Sequence, residues 1–209
     1  MPQDTTPHID SDATIAELER QVFVLIERIN AMRRTLPGSV VPDYPLQTLQ
    51  GAAHLSDVFA GRDKLLAIHN MGQGCRYCTL WADGINGFLD HLESAMAVVL
   101  LSKDPPETQR RFANSRDWRF RLASHQGGDY IREQSTMPGN DNMPGAVLYE
   151  MKDGVIRRKN AVVFGPGDIF CSAWHFLALA GYDERDWTPQ YSYWQRPVVL
   201  DDGGKNLLD

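Results

Sequence analysis

Two cysteines stand three apart in Cys75-Arg76-Tyr77-Cys78, and the residues on either side of them restrict what the chain can build. Residues 65–69 form a short apolar run that reads as a strand, followed by the Gly-bearing loop Met71-Gly72-Gln73-Gly74. Residues 78–92 then carry Leu80, Ile85, Phe88, Leu89 and Leu92 at helical spacing, predicting a helix with these side chains inward. The pair therefore lies where a strand hands over to a helix. Free N–H groups at a helix start favour an anion, so a thiolate at Cys75 is stabilised there and by the neighbouring Arg76. Such a setting lowers a thiol pKa and makes the sulfur nucleophilic. Cys78, one turn deeper on the same side, can resolve a mixed disulfide formed at Cys75.

The surrounding pattern is an alternation. Residues 95–102 are apolar throughout and predict a fully buried strand; Pro105-Pro106 opens a helix to Ser115. Residues 120–124 predict a short strand and 128–134 a polar helix. Residues 145–151 and 155–164 predict a hairpin about Asp153-Gly154. Asp168 is then expected to cap a last helix reaching Ala180. Strand–helix–strand–helix followed by a hairpin and a helix makes a mixed sheet with helices on both faces, an α/β fold of thioredoxin-like arrangement.

The 209 residues, 43% of them hydrophobic, suffice for one sizeable core with appendages. The expected organisation is an N-terminal amphipathic helix and extended arm over 1–50, a thioredoxin-like domain over 51–182, and an aromatic tail over 183–209 packing on that domain. Within the first part, Ile15, Leu18, Val22, Leu25, Ile26, Ile29 and Met32 recur at three- and four-residue steps until Pro37-Gly38. This stripe suits either packing on its own domain or a dimerisation arm, so a homodimer is one expectation. Trp187, Tyr191, Tyr193 and Trp194 supply the aromatic tail. A formal charge of −6 with scattered basic clusters gives no nucleic-acid footprint. No secretory signal or membrane-length apolar run is visible, so a cytoplasmic protein is expected. In that compartment three cysteines are not a structural disulfide framework.

Leu65-Leu66-Ala67-Ile68-His69-Asn70 leading to Cys75-Arg76-Tyr77-Cys78-Thr79-Leu80-Trp81-Ala82-Asp83 resembles a bacterial thioredoxin-like family, domain of unknown function 899. Arg33-Arg34-Thr35-Leu36-Pro37 and Phe164-Gly165-Pro166-Gly167-Asp168-Ile169-Phe170-Cys171 extend the likeness over most of the chain. That family is described as predicted dithiol–disulfide oxidoreductases. The resemblance implies such an activity on a protein or small-molecule disulfide or thiol, with no cofactor. Met143-Pro144-Gly145-Ala146-Val147-Leu148-Tyr149 is similar to the thioredoxin segment in which a cis-proline precedes a strand. That likeness implies a cis Pro144 beside the cysteines and backbone docking of substrate at Met143 and Pro144. Gly74 stands where thioredoxins carry Trp, and His69 where they carry a buried acid, which makes His69 a candidate for proton transfer.

The stretches around Leu101-Ser102, Pro106-Glu107-Thr108 and 120–124 resemble peroxiredoxins. On that likeness Cys78 takes the peroxidatic place, with Cys75 replacing a Thr or Ser and Met71 standing where a proline leads the motif. A thiol peroxidase is therefore one alternative. Another is a zinc or redox-sensing module, because Cys171 and His175, four apart on the last helix, could join Cys75 and Cys78 in a tetrahedral shell. Trp81 is expected in the core and Asp83 toward solvent. His125, Asp129, Arg119 and Arg121 are further candidates for approaching the site.

Overall fold

The structure, a computed structural model, describes residues 11–193. The described chain divides at Pro37 into a helical unit and a unit beginning at Gly38. The first is α1 (Ser11–Thr35), with Asp12 in its first turn and Arg33 and Arg34 in its last, each sign complementing the helix dipole. Its apolar stripe is exposed rather than buried.

In the second unit, β1 (Ser39–Val40), β2 (Pro45–Thr48) and β3 (Gly51–His54) come first, and a 3-10 turn follows at Asp57–Phe59. Next are β4 (Lys64–His69), α2 (Arg76–Gly87), α3 (Leu89–Ala95), β5 (Ala97–Ser102), α4 (Pro106–Ser115), β6 (Arg121–Ser124) and α5 (Asp129–Gln134). The chain closes with the hairpin β7 (Gly145–Lys152) and β8 (Val155–Val163), and α6 (Ser172–Leu179). The strands form one mixed sheet in the order β1-β8-β7-β4-β5-β6-β2-β3. Helical crossovers make β4, β5 and β6 parallel, whereas β7 pairs antiparallel with both β4 and β8. The Asp153-Gly154 turn has positive φ at both positions, as a tight hairpin of matching twist requires.

The pleat divides the core. Leu65 and Ala67 of β4 and Ala97, Val99 and Leu101 of β5 face one cluster, closed by Phe59, Tyr130 and Tyr149. Ile68, Val98 and Leu100 face the other, under Trp81, Ala82 and Ile85 of α2 and Trp174 of α6. Strands buried on both faces explain the unbroken apolar run at 97–101.

Several expectations need correction. The supposed arm through residue 50 is not an arm: Ser39 and Val40 pair with Arg158 and Arg157 of β8, and Gln47 pairs with Ser124 of β6. Extended backbone needs such partners. The helix expected over 78–92 breaks at Phe88, which is exposed, and Leu89 is buried at the start of a second helix. Gly84 and Gly87 weaken the helix just before that break. The last helix begins at Ser172, not after Asp168. The Asp168 carboxylate instead accepts hydrogen bonds from the N–H groups of Gly165 and Phe170 and from Trp81 Nε1. All described peptide bonds are trans, Met143–Pro144 included. Pro144 enters β7 already extended, its carbonyl accepting the Phe164 N–H at 3.0 Å.

Candidate active site

Cys75 is the N-cap of α2, with extended backbone at φ −111° and ψ 101°. An N-cap side chain ordinarily accepts a hydrogen bond from an unpaired N–H of the first turn. Here the acceptor is sulfur: the Cys78 N–H donates to Cys75 Sγ at 3.1 Å. The Cys78 thiol and the Tyr77 N–H also donate to it, and the Arg76 charge lies nearby. Led by the Cys78 thiol, these donors hold the Cys75 pKa below the ordinary thiol value despite burial. Cys78 goes the other way. Burial, first, and then donation to Cys75 push its pKa well up. Its sulfur accepts a hydrogen bond from the Met71 N–H at 3.5 Å. The two thiols are thus shifted in opposite directions, Cys75 toward the anion and Cys78 toward the protonated form. The three cysteines are free and buried.

The loop ahead of Cys75 is fixed from two strands. It leaves the C-terminal end of β4, and Asp104 leaves the same end of the parallel β5. The carboxyl ends of such strands are where α/β sheets build their sites. Asp104 accepts the Gln73 N–H at 2.7 Å, and Asn70 Oδ1 accepts the Gly72 N–H at 2.8 Å. Gly72 has φ +108°, and a Cβ there would lie 2.8 Å from both Asp104 carboxylate oxygens. Only glycine lets the loop approach this closely. The void between Gly72, Gln73, Asp104 and Gln109 is about 10 Å³, room for one water at most.

The aromatic tail reaches this site. The Tyr191 hydroxyl donates to the Gln73 carbonyl at 3.1 Å, and burial with the cysteine charges raises its own pKa. Arg116 donates to the Tyr191 carbonyl and pairs with Asp83 of α2, which also accepts Trp118 Nε1–H. Asp83 therefore braces α2 against Arg116 and Trp118, while its side chain remains 36% exposed. Trp187 packs edge-on against Trp174 of α6, and Tyr77 stacks on Trp174. The last helix consequently lies alongside the residues between the cysteines. Trp194 lies outside the described residues. Tyr191, Asp104 and the Asp83–Arg116 pair were not legible in the sequence: Tyr191 is 118 positions from its loop partner.

The remaining candidates separate clearly. Arg76 is buried beside Cys75. Gly145 pairs with His69, and Asn142 donates to the Met71 carbonyl, which puts Met143 and Pro144 along the cysteine loop. His69 projects to the other face of the sheet, where its Nε2 meets the Tyr130 hydroxyl at 2.7 Å. Burial lowers its pKa to about 3, so it is a neutral core histidine and hydrogen-bonds to neither thiol. His125 packs on the same Tyr130, Arg119 pairs with Asp90, Asp129 pairs with Arg132, and Arg121 reaches the Val58 carbonyl. None of them meets the thiols. Among the described residues no three His, Cys, Asp or Glu groups converge on a metal position, so Cys75, Cys78, Cys171 and His175 do not form a set. Cys171 packs at the start of α6, and His175 turns its ring to the Asp168 carbonyl.

The sheet topology and the helix-capping thiol pair define a thioredoxin-like protein of peroxiredoxin-related architecture. The chain belongs to the family described as bacterial protein of unknown function, DUF899, whose model matches residues 9–197. No curated protein matches it in sequence. Among solved structures it is similar to the peroxidoxin BcpB of Mycobacterium tuberculosis, at 21% identity and a TM-score of 0.50, covering 69% of this chain and 94% of that one. It is similar also to a PrxQ mutant of Xylella fastidiosa, at 15% identity and a TM-score of 0.52, covering 69% and 96%. A third neighbour is the bacterioferritin comigratory protein of Xanthomonas campestris, described for its alkyl peroxide reduction. It matches at 13% identity and a TM-score of 0.52, over 69% and 96% of the two chains. At these identities the likeness establishes the fold.

Proposed function

We propose that Cys75 and Cys78 are the redox centre of a thiol–disulfide oxidoreductase, Cys75 attacking and Cys78 resolving. The observation that carries this reading is the asymmetry of the pair, with Cys75 Sγ as the cap of α2 and Cys78 buried beneath it. The Cys75 thiolate attacks one sulfur of a substrate disulfide, forming a mixed disulfide and releasing a thiolate that takes a proton from water. Cys78 then attacks Cys75 Sγ, its proton ending on the second departing sulfur. The products are two substrate thiols and a Cys75–Cys78 disulfide, a two-electron transfer. The backbone at Met143 and Pro144, beside the loop, is assigned to docking the substrate chain. Proton transfer is not assigned to His69, whose Nε2 meets Tyr130 on the other face of the sheet.

The peroxiredoxin-like fold supports a second reading with the same residues. The Cys75 thiolate attacks a peroxide and becomes a sulfenic acid, releasing an alcohol or water; Cys78 condenses with it to give the disulfide and water. The lowered pKa assigns the attack to Cys75 instead of Cys78, the position the peroxiredoxin likeness implied.

Cys75→Ser is expected to abolish reduction of a model disulfide, while Cys78→Ser keeps the first attack and accumulates the mixed disulfide. Full activity in both variants would remove the reading. Peroxide consumption at the expense of a dithiol, lost with Cys75, selects the second.

A further inference from the structure

Within α1, Ile15, Val22 and Ile29 fall on one heptad position, and Leu18, Leu25 and Met32 fall on the other apolar position of the same repeat. Leu36 continues the first series just past the helix end. The spacing is 3-4-3-4 without a break, the seam of a coiled coil and not merely one amphipathic face. The seam is nonetheless open to solvent: these six side chains are 54, 51, 43, 56, 54 and 63% exposed in the order given. An exposed apolar stripe running the length of a 25-residue helix, about 37 Å, is a surface built to be covered.

The flanking charges say by what. Asp12, Glu19, Ile26 and Arg33 line one side of the seam; Thr14, Gln21, Arg28 and Thr35 line the other. Two parallel copies would set Arg28 of each helix against Arg33 of the other, a like-charge clash made twice. Two antiparallel copies, centred between residues 23 and 24, set Ile15 opposite Met32, Leu18 opposite Ile29 and Val22 opposite Leu25. In that register Asp12 faces Arg33 of the other copy at both ends, and Gln21 faces Arg28. No flanking pair repels. We propose that this chain dimerises through α1, packed antiparallel against α1 of a second copy in that register. The inference is independent of the redox chemistry.

The test is sedimentation equilibrium on the full-length reduced chain, with thermal unfolding to confirm that the variants fold. The wild-type chain is expected to be a dimer. Leu25→Glu, which places two charges in the seam of the dimer, is expected to weaken association at least about a hundredfold. Arg33→Glu separates the two orientations. Antiparallel packing predicts weakening of several-fold, as the introduced carboxylate meets Asp12, with recovery in Asp12→Arg/Arg33→Glu. Parallel packing predicts tightening, as the same carboxylate meets Arg28. A monomeric wild-type chain, a dimer indifferent to Leu25→Glu, or tightening by Arg33→Glu each overturns the proposal.

Discussion

A cysteine at an N-cap does what serine or aspartate does there, but the bond it accepts also decides its chemistry. At Cys75 the donors are the Cys78 thiol, the Cys78 and Tyr77 N–H groups and, through space, Arg76, and each prefers the thiolate. The Cys78 thiol is the largest of these influences, so removing it has a defined consequence. Cys78→Ala is expected to move the Cys75 pKa up toward the ordinary thiol value, whereas Cys78→Ser, which keeps a hydroxyl donor, moves it less. The pH dependence of Cys75 alkylation in reduced protein measures both. A Cys75 titration unchanged by Cys78→Ala would show that the helix terminus alone sets it. This much of the site was legible, because strand, loop and helix pattern put the cysteines at a helix start. The residues that fix the loop were not. Asp104 and Tyr191 act through a strand end and a distant tail, and neither leaves a local periodicity to read.

At the scale of elements, two contacts hold the site to its frame. Asp83 of α2 takes the guanidinium of Arg116 and the indole N–H of Trp118, joining the cysteine helix to the end of α4, while Arg116 holds the Tyr191 carbonyl. Asp83→Ala leaves a half-buried guanidinium and a buried indole without their acceptor. It is expected to cost about 1–3 kcal/mol in urea unfolding and to loosen the tail over the cysteines. A loss below about 0.5 kcal/mol would show that the brace does not hold. On the other side of the site, Gly145 begins β7 between β4 and β8. A Cβ there would lie 2.2 Å from the Val162 carbonyl oxygen and 2.6 Å from Thr136 Cγ2. The backbone of β8 and Thr136 must shift to admit it, so Gly145→Ala is expected to destabilise by more than about 2 kcal/mol, read in the same unfolding experiment. The order of elements was readable from period and breakers, and most boundaries fell close to it. The failures have physical causes. Periodicity cannot register that two glycines let one helix become two at Phe88, nor that an aspartate before a helix can be held by a tryptophan from another.

Across the whole molecule, the face of the sheet away from the cysteines imposes a pH dependence on folding. His69, His125 and Tyr130 pack there, with Tyr149 and Tyr44 completing the ring contacts. Burial, first, lowers His69 to about 3 and His125 to about 4, from 6.5, with nearby positive charge adding to the effect. Well above pH 6.5 both histidines are neutral whether the chain is folded or not, and they contribute no pH dependence. As pH falls below 6.5 the unfolded chain takes up both protons while the folded chain refuses them. Stability is therefore lost from about pH 6.5 down to the folded values near 4 and 3, with a slope approaching ~1.4 kcal/mol per pH unit for each histidine. His69→Gln sacrifices the bond to Tyr130 and is expected to be less stable at pH 7, but its acid slope should be shallower by one proton. Slope and intercept thus report different things: the intercept measures the lost hydrogen bond, the slope the refused proton. Urea unfolding at a series of pH values between about 7 and 4 gives both. An unchanged slope would mean that the His69 ring accepts a proton in the folded state, and would reopen its candidacy for proton transfer to the thiols.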